Sequence, residues 1–394
     1  MDRNMKKWHS YKLSDVVRFN PSERLLKGEI AKKVPMDLLQ PYTRGISGFE
    51  MASYTGGSKF RNGDTLMARI TPCLENGKTA YVSMLDEDEV GFGSTEYIVF
   101  RNIEGITDNK FVYYFVTSPW FRDIAVKSMV GSSGRQRVQQ AMLENLVVNL
   151  PPLAEQKQIA GILGALDDKI ELNRCINDNL EEQAKALFNH YFIQNTENLG
   201  EWQDGVLTDI AQYLNGLAMQ KYPAMPNEAG LPVLKIKELG QGQCDTNSDR
   251  CSSLIKPEYI ISDGTIIFSW SGTLLVDIWC GGKCGLNQHL FKVSSAKYPQ
   301  WFVFYWTKHH LNKFIRIAKD KAVTMGHIKR CDLEISKVKI PSKQALVNLD
   351  KLFSPIFNRM VTCRIENRKL SSLRDTLLPK LMSGELSVEE VSFD

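Results

Sequence analysis

A short segment in the first half of the chain combines glycines with basic and amide side chains. Segment 131–140 has glycines at its first and fourth positions. Glycine lets a backbone approach a phosphate closely, while Arg binds guanine and Gln binds adenine through paired hydrogen bonds. The segment therefore predicts a DNA contact. Its candidate DNA-binding residues are Arg135, Gln136, Arg137 and Gln139.

Four other groups of residues have similar chemistry. One is basic, one is a glycine-containing Ser/Thr turn, one is a polar trio at a strand start, and one is the second-half counterpart of 131–140, segment 324–330. For each side chain the alternative is an ordinary polar surface group. The candidates are Lys59, Arg61 and Arg69; Ser269, Ser271 and Thr273; Asn287, Gln288 and His289; and His327, Lys329 and Arg330.

The charge balance says little by itself, because 49 Lys and Arg face 45 Asp and Glu for a net charge of +4. The distribution says more. Residues 308–330 carry seven bases, Lys321 among them, and one acid. Such a stretch is either a phosphate-facing surface or a solvated helix face.

Motifs of catalysis are missing from the sequence. There is no P-loop, and no run of the Asn/Asp-Pro-Pro-Tyr kind that amino-methyltransferases use. Four of the eight cysteines lie between residues 244 and 284, but their spacing is poor for a zinc finger. We therefore predict no catalytic residues, no bound metal and no cofactor of the chain's own.

Length and composition predict a globular protein of two or three domains, with 394 residues of which 43% are hydrophobic. No apolar run is long enough to span a membrane. The cysteines are too sparse for a disulfide scaffold, so we expect a reducing, cytoplasmic location.

The chain contains an internal repeat. Its two halves align with a shift that drifts between 190 and 200 residues, as expected when loops of different length join a shared framework. Each copy has short β-rich runs followed by an aromatic helix, predicted at 110–126 and 299–319. The strand predictions are 79–82, 97–100 and 260–269. The aligned segments are 13–16 with 207–210, 63–67 with 263–267, 93–97 with 285–289, and 150–151 with 340–341.

A heptad pattern follows each copy after its Leu-Pro or Ile-Pro. Both seams carry an asparagine at the same step, Asn177 and Asn367, and a buried asparagine pair would specify the register of a coiled coil. We predict that the two helices, each about 50 Å long, pack antiparallel. The alternative is that each packs only on its own domain. The seams are Ile159, Leu163, Leu166, Ile170, Asn173, Asn177, Leu180, Ala184, Leu187 and Tyr191, and Leu349, Phe353, Ile356, Met360, Cys363, Asn367, Leu370, Arg374, Leu377 and Leu381.

The predicted fold class is α+β, with two similar recognition domains separated by an antiparallel coiled coil, in a pseudo-twofold arrangement. The predicted segments are 1–152, 153–195, 196–341 and 342–394. A rod with two different domains at its ends suits a double-stranded DNA target, whose half-sites recur about every 34–36 Å.

Three stretches resemble the specificity subunit of type I restriction–modification enzymes, the HsdS family. They read LPPLAEQKQIA at 150–160, LDDKIELN at 166–173 and LLPKLMSGEL at 377–386. The second copy departs from this pattern at 340–344, where the Pro-Leu and Glu before Gln344 are missing. The resemblance extends over the whole chain.

The resemblance implies a non-catalytic DNA-binding scaffold. A subunit of this family reads a gapped, two-part DNA target with one target-recognition domain per half. One copy holds two methyltransferase subunits, which use S-adenosylmethionine to methylate adenine. It also recruits restriction subunits that use ATP and Mg²⁺ on DNA.

Two other classes of function remain open from the sequence. One is a coiled-coil adaptor that joins two partners without sequence-specific DNA binding. The other is a nuclease or methyltransferase with an unrecognised motif. Salt-dependent DNA affinity separates the first from a DNA reader, and activity of the isolated chain would favour the second.

Overall fold

The computed structural model describes residues 8–194, 202–320 and 326–391. By its internal contacts the chain forms two compact units. Unit 1 comprises Met1–Glu171 and Leu370–Asp394, and unit 2 comprises Leu172–Lys369. Each long helix is thus shared by both units, and the four-segment division at 152, 195 and 341 stays a prediction.

Unit 1 contains three sheets. A two-stranded sheet pairs β1 with β10, one four-stranded sheet has the order β2-β9-β6-β7, and the other has the order β4-β3-β8-β5. All pairings are antiparallel except β3 with β8. The strands are β1 His9–Lys12, β2 Val17–Phe19, β3 Ile30–Val34, β4 Glu50–Ser53, β5 Lys59–Phe60, β6 Thr65–Ala68, β7 Thr79–Tyr81, β8 Gly91–Gly93, β9 Tyr97–Asn102 and β10 Val147–Leu150. The helices are α1 Leu13–Val16, α2 Asn109–Thr117, α3 Pro119–Lys127, α4 Gln140–Glu144 and α5 Leu153–Phe188, the last extending into unit 2.

Unit 2 repeats this topology strand for strand. Its sheets have the orders β11-β20, β12-β19-β16-β17 and β14-β13-β18-β15, and only β13 with β18 is parallel. The internal repeat is therefore confirmed. The strands are β11 Gln203–Val206, β12 Gln212–Asn215, β13 Leu231–Leu234, β14 Arg250–Cys251, β15 Ile260–Ile261, β16 Thr265–Ser269, β17 Leu275–Trp279, β18 Cys284–Leu286, β19 Leu290–Ser294 and β20 Lys337–Ile340. The helices are α6 Leu207–Ile210, α7 Ile236–Gln241, α8 Gln300–Asp320, α9 Arg330–Glu334 and α10 Lys343–Ser383, the last ending in unit 1.

Two predicted elements are interrupted in the structure. The helix predicted over 110–126 is two helices, because Ser118 is extended and caps Phe121 N–H while Pro119 begins the second helix. The strand predicted over 260–269 is broken by a turn in which Gly264 has φ +84°. The aromatic helix predicted over 299–319 is confirmed as α8.

The sheet registers correct the predicted alignment by one residue in two places. Gly93 pairs with Val34 as Leu286 pairs with Leu234, so Gly93 corresponds to Leu286 rather than Gly285. Likewise Gly63 corresponds to Gly264, since each has positive φ and donates its N–H across the same hairpin.

The long helices run antiparallel within each unit. In unit 1, Leu163 shares a buried cluster with Leu378 and Leu381 from the end of α10. In unit 2, Ala184 and Phe188 share one with Phe353 and other residues from the start of α10. The predicted antiparallel packing is thus confirmed inside each unit. Beyond Ala184 the buried positions are Phe188 and Phe192, and the predicted Leu187 and Tyr191 are only partly buried.

The asparagine pair differs from the predicted one. Asn367 accepts a hydrogen bond from the Asn173 side chain at 2.9 Å, while Asn177 Oδ1 is buried without a partner among the described residues. Asn177 and Asn367 are each the sixth position of their seam. In antiparallel packing one seam runs in the reverse order, so the sixth position of one faces the fifth of the other, which is Asn173. The register pair is Asn173 and Asn367.

Within the residues that the structure covers, no helix combines the length and apolar character needed to cross a membrane. The same residues include no group of three or more His, Cys, Asp or Glu side chains placed to hold a metal ion.

Candidate nucleic-acid interface

Backbone hydrogen bonds hold segment 130–138, which we call arm 1, against the loop that follows β6. Arg137 and Val130 exchange two hydrogen bonds across the arm, at 2.9 and 3.0 Å. On its other edge, Val138 N–H donates to Arg69 O at 2.9 Å and Thr71 N–H donates to Gln136 O at 3.0 Å. The backbone of arm 1 is therefore held on both sides.

The tip of arm 1 is a glycine turn. Gly131 and Gly134 have φ of +134° and +76°, a region that other residues rarely adopt. Arg135 N–H closes the turn on Ser132 O at 3.0 Å. This places the exposed Arg135 at the end of the arm, as expected for a phosphate or base contact.

Arg137 is held by a carboxylate from a neighbouring loop. Its Nε and Nη2 donate to Glu96 at 2.7–3.0 Å, with 45% of the Arg137 side chain and 25% of the Glu96 side chain exposed. Hydrogen bonding to Glu96 raises the pKa of Arg137 above its ordinary value. Arg69 lies beside this pair, since its N–H donates to Glu96 O at 2.9 Å.

Arg69, Gln136, Arg137 and Glu96 are thus brought together, and Arg69 Nε is buried without a hydrogen-bond partner among the described residues. Gln136 is half-buried, and Gln139 is exposed just before α4.

Lys59 and Arg61 belong to a different, ion-paired cluster. Lys59 donates to Glu23 O at 2.8 Å, and Arg61 pairs with the Glu23 carboxylate at 2.7 Å. Arg101 binds Glu23 and Asp64 as well. Burial works against ionisation of Glu23, yet the hydrogen bonds from Arg101 and Arg61 hold its pKa below the ordinary value. The side chains of Lys59 and Arg61 are therefore both engaged in contacts with Glu23 inside unit 1.

Unit 2 has the same ladder with different side chains. Arm 2, residues 326–328, is held by Ile328 N–H donating to Trp270 O at 3.1 Å and Gly272 N–H donating to Gly326 O at 3.0 Å. Trp270 N–H donates to His289 O at 3.3 Å, as Arg69 does to Glu96. Ser271 forms an isolated antiparallel β-bridge with His327, as Ile70 does with Arg137. Thr324 and Met325 of segment 324–330, and Lys321 of the basic stretch, lie outside the described residues.

The positions of Arg69, Glu96 and Arg137 are occupied in unit 2 by the aromatic rings of Trp270, His289 and His327, respectively. The Trp270 ring lies 6.0 Å from the His289 ring and 6.4 Å from the His327 ring. His289 hydrogen-bonds Ser271 Oγ at 3.0 Å and Gln288 at 3.3 Å. Unit 2 thus presents aromatic and amide side chains where unit 1 presents an arginine–glutamate pair.

Several predicted contact residues of unit 2 are turned inward. Ser269 is fully buried and donates to Ser271 O and Thr273 O, and Asn287 is buried with its Oδ1 accepting from His289 N–H. Because their side chains are enclosed, we remove Ser269 and Asn287 from the proposed DNA contacts. Ser271 is 6% exposed and positions His289. Thr273, His327, Lys329 and Arg330 are exposed.

The basic residues of α8 also include some that are engaged in contacts within unit 2 and some that are exposed. Lys308 pairs with Glu181, and Lys313 lies 3.4 Å from Ser336 Oγ, whereas Arg316 and Lys319 are exposed. Only the last turns of the helix keep the predicted basic surface.

Two residues of this interface were missed from the sequence. Trp270 lies within the glycine-containing Ser/Thr turn, whose predicted contacts are its serines and threonine. The predicted alignment of 93–97 with 285–289 matches Glu96 with Gln288 instead of His289. The signal that finds both is the sheet register, which places Tyr97 opposite Ala68 and Leu290 opposite Ser269.

The chain is similar to several known proteins. Residues 5–182 match the family model described as type I restriction modification DNA specificity domain. The MjaIX specificity subunit of a type I restriction enzyme from Methanocaldococcus jannaschii is 27% identical over 74% of this chain and 73% of its own length. The EcoAI specificity subunit of Escherichia coli is 33% identical over 51% of this chain and 33% of its own length.

The fold is also shared with a solved structure. The S subunit of a type I restriction-modification system from M. genitalium has a TM-score of 0.55, with 17% identity, over 96% of this chain and 97% of that one.

Proposed function

The chain is a relative of the specificity subunits of type I restriction enzymes, and from this premise we propose that it selects the DNA sequence on which a restriction–modification complex acts. The target has two parts separated by a gap, and each unit reads one part. The chain performs no chemistry itself.

The observation that supports this function is the shared ladder with different side chains. Both units hold an arm against the loop after the equivalent strand by the same backbone hydrogen bonds. The arms carry Arg137 in one unit and His327 in the other, and the facing positions are Arg69 and Trp270. A common framework with different contact chemistry suits the two unlike halves of one target.

The partners we propose are those of the family. One copy of the chain joins two methyltransferase subunits, and restriction subunits bind the resulting complex. S-adenosylmethionine, ATP and Mg²⁺ act on those subunits and not on this chain. We also propose a cytoplasmic location, where such a complex meets DNA.

Methylation mapping tests the function directly. The chain is expressed with its methyltransferase partner in a host that lacks other adenine methylation, and methylated adenines are located across the genome. A gapped, two-part motif is the expected result. Methylation without a motif, or DNA affinity that does not fall with salt, would contradict a DNA-reading role and favour an adaptor.

A double variant in arm 1 tests which half of the DNA motif is read by unit 1. Replacing Arg135 and Arg137 by Gln should weaken the preference in one half of the motif and leave the other half unchanged. Loss of both halves together would contradict one half per unit.

The paired helices are proposed to set the gap. Deleting one heptad from α5 should shorten the permitted gap or abolish assembly, because both helices meet in register through Asn173 and Asn367. An unchanged gap in an assembled complex would contradict this role.

A further inference from the structure

We propose that Arg137 determines a guanine in the DNA half read by unit 1, and that Glu96 is the residue that positions it. This inference rests on the proposed function and adds a residue-level rule to it.

The first step is the position of the Arg137 backbone. Arg137 is bridged on one side to Val130 and on the other to Ile70. Its side chain therefore begins from a fixed point. A base-reading side chain needs such a fixed origin, because direct readout depends on donors placed to hydrogen-bond accuracy.

The second step is the count of donors on the guanidinium. Arginine has five N–H groups. Glu96 accepts from Nε and from Nη2, and Nη1 makes one long contact of 3.4 Å to Arg135 O. One N–H on each terminal nitrogen then remains without a bond to the described residues. These two terminal donors form the fork that fits O6 and N7 of guanine.

The third step is the role of Glu96. Its carboxylate occupies the side of the guanidinium formed by Nε and Nη2, which orients the opposite end outward. A planar guanidinium held in this way loses little rotational freedom on binding. Glu96 need not touch the DNA to act.

Unit 2 holds its arm by the same contacts to the loop after β16, with other residues at the positions of Arg137 and Glu96. His327 and His289 replace Arg137 and Glu96, yet arm 2 keeps the two backbone hydrogen bonds to the loop after β16 and the bridge to Ser271. The ion pair is therefore not required to hold an arm of this kind. Its presence in unit 1 is explained by what it offers to a ligand.

The experiment compares four versions of the full chain in complex with its methyltransferase partner: wild type, Arg137→Lys, Glu96→Gln and Lys127→Gln. Each selects sites from a randomised DNA library, and the selected sites are sequenced. Lys127→Gln is the matched control, because it breaks an exposed pair with Asp123 at 2.6 Å elsewhere in unit 1.

The expected result is a change at one base pair. Arg137→Lys keeps the charge but lacks the fork, so preference for guanine at one position should fall by roughly 5- to 150-fold. Glu96→Gln should weaken preference at that same position by a smaller factor. The rest of the motif, and the motif of Lys127→Gln, should match wild type.

A modified base then identifies the acceptor. Replacing that guanine by 7-deazaguanine removes N7, and it should weaken binding of wild type but have little further effect on Arg137→Lys. Melting temperatures show whether each variant is folded.

The outcomes separate the two proposals. If wild type selects no motif, the proposed function fails. If wild type selects a two-part motif and both variants of the pair select the same one, the function stands and this inference is overturned. Equal loss at every position would likewise overturn it, because it would show a structural or purely electrostatic role.

Discussion

At equivalent positions, the long helices are held by hydrogen-bonded charged side chains in unit 1 and by apolar packing in unit 2. In unit 1, the buried Asp167 accepts from Tyr114 Oη at 2.8 Å and from Arg374 at 2.7 Å. A shift of 190 residues converts Tyr114 to Phe304 and Asp167 to Phe357, and the reverse shift converts Arg374 to Ala184. All three counterparts are buried in one apolar cluster of unit 2.

The polar triad of unit 1 is extended by further ion pairs. Arg44 binds Asp168 and Glu171 of α5, so a loop of the unit is tied to the same helix. Burial lowers the pKa of Arg44 and Arg374, but it is outweighed by hydrogen bonds to carboxylates for Arg44 and by charge attraction to carboxylates for Arg374, so both pKa values are raised. Burial also raises the pKa of Tyr114.

Unit 2 uses aromatic packing in place of charge. Phe304 meets Phe357 edge-on at 5.8 Å, and Trp301 stacks on Phe353 at 4.2 Å. One polar bond accompanies them, from Trp301 Nε1 to Asp350 at 2.7 Å. The comparison teaches that one backbone arrangement accepts either a satisfied ionic triad or an apolar one.

The largest expected effect is removal of the central carboxylate of unit 1. Asp167→Ala removes the acceptor that the buried Arg374 and Tyr114 share and leaves Arg374 paired only with the exposed Asp375. It should destabilise unit 1 by about 3–5 kcal/mol. Chemical unfolding followed with probes in unit 1 measures it. Asp123→Ala, which breaks an exposed pair, is the control and should cost about 0–1 kcal/mol. Equal effects would show that Asp167 is not structurally central.

Transplanting the apolar triad is the next test. Tyr114→Phe, Asp167→Phe and Arg374→Ala together convert unit 1 to the arrangement of unit 2. Replacing a buried ionic group by packed apolar side chains is neutral or stabilising by about 1–4 kcal/mol. A melting temperature at or above wild type is expected. A loss as large as that of Asp167→Ala alone would contradict the equivalence of the two junctions.

Removing a hydroxyl in unit 1, or adding one at the equivalent position of unit 2, should change stability by a smaller amount. Tyr114→Phe removes one buried hydrogen bond to a charged group and should cost about 1–3 kcal/mol. Phe304→Tyr introduces a hydroxyl beside Phe357 and should cost a similar amount, because the buried group lacks an acceptor. Thermal unfolding of both variants checks the pair. A stabilising Phe304→Tyr would show that a polar partner is within reach.

Acidification should weaken unit 2 through His310. Burial lowers the pKa of His310 to about 4, and its Nε2 bonds Lys337 O at 2.8 Å. The unfolded chain, with a His pKa of about 6.5, binds the proton first. This contribution to the stability of unit 2 is therefore complete above pH 6.5 and is lost as pH falls toward 4.

Comparison of wild type with His310→Gln over this pH range measures the contribution. The variant should lack that part of the acid destabilisation, and an unchanged pH profile would contradict the role of His310.

Much of the fold could be predicted from the sequence, because repeats and heptads are local patterns. The Leu150–Pro151 and Ile340–Pro341 segments and the antiparallel helices follow from such patterns. The break before Pro119 was missed because the apolar spacing continues across it. Asn173 was passed over for Asn177, since antiparallel packing changes which steps of two seams meet.

The interface was less predictable than the fold. Lys59 and Arg61 have the composition of DNA contacts, yet Glu23 and its neighbours hold them in an ion-paired cluster. Glu96 is not basic, so a search for phosphate-binding residues passes over it. Asp167 resembles its solvated neighbours in sequence, and only the positions of Tyr114 and Arg374 distinguish it.

The backbone ladder of the arms has a consequence for evolution. Because main-chain groups hold arms 1 and 2, the exposed side chains at 137 and 327 are relieved of that structural task. A mutation there changes the surface offered to a ligand at little expense to folding. Such positions can drift quickly under selection for novelty, while the framework that displays them stays the same.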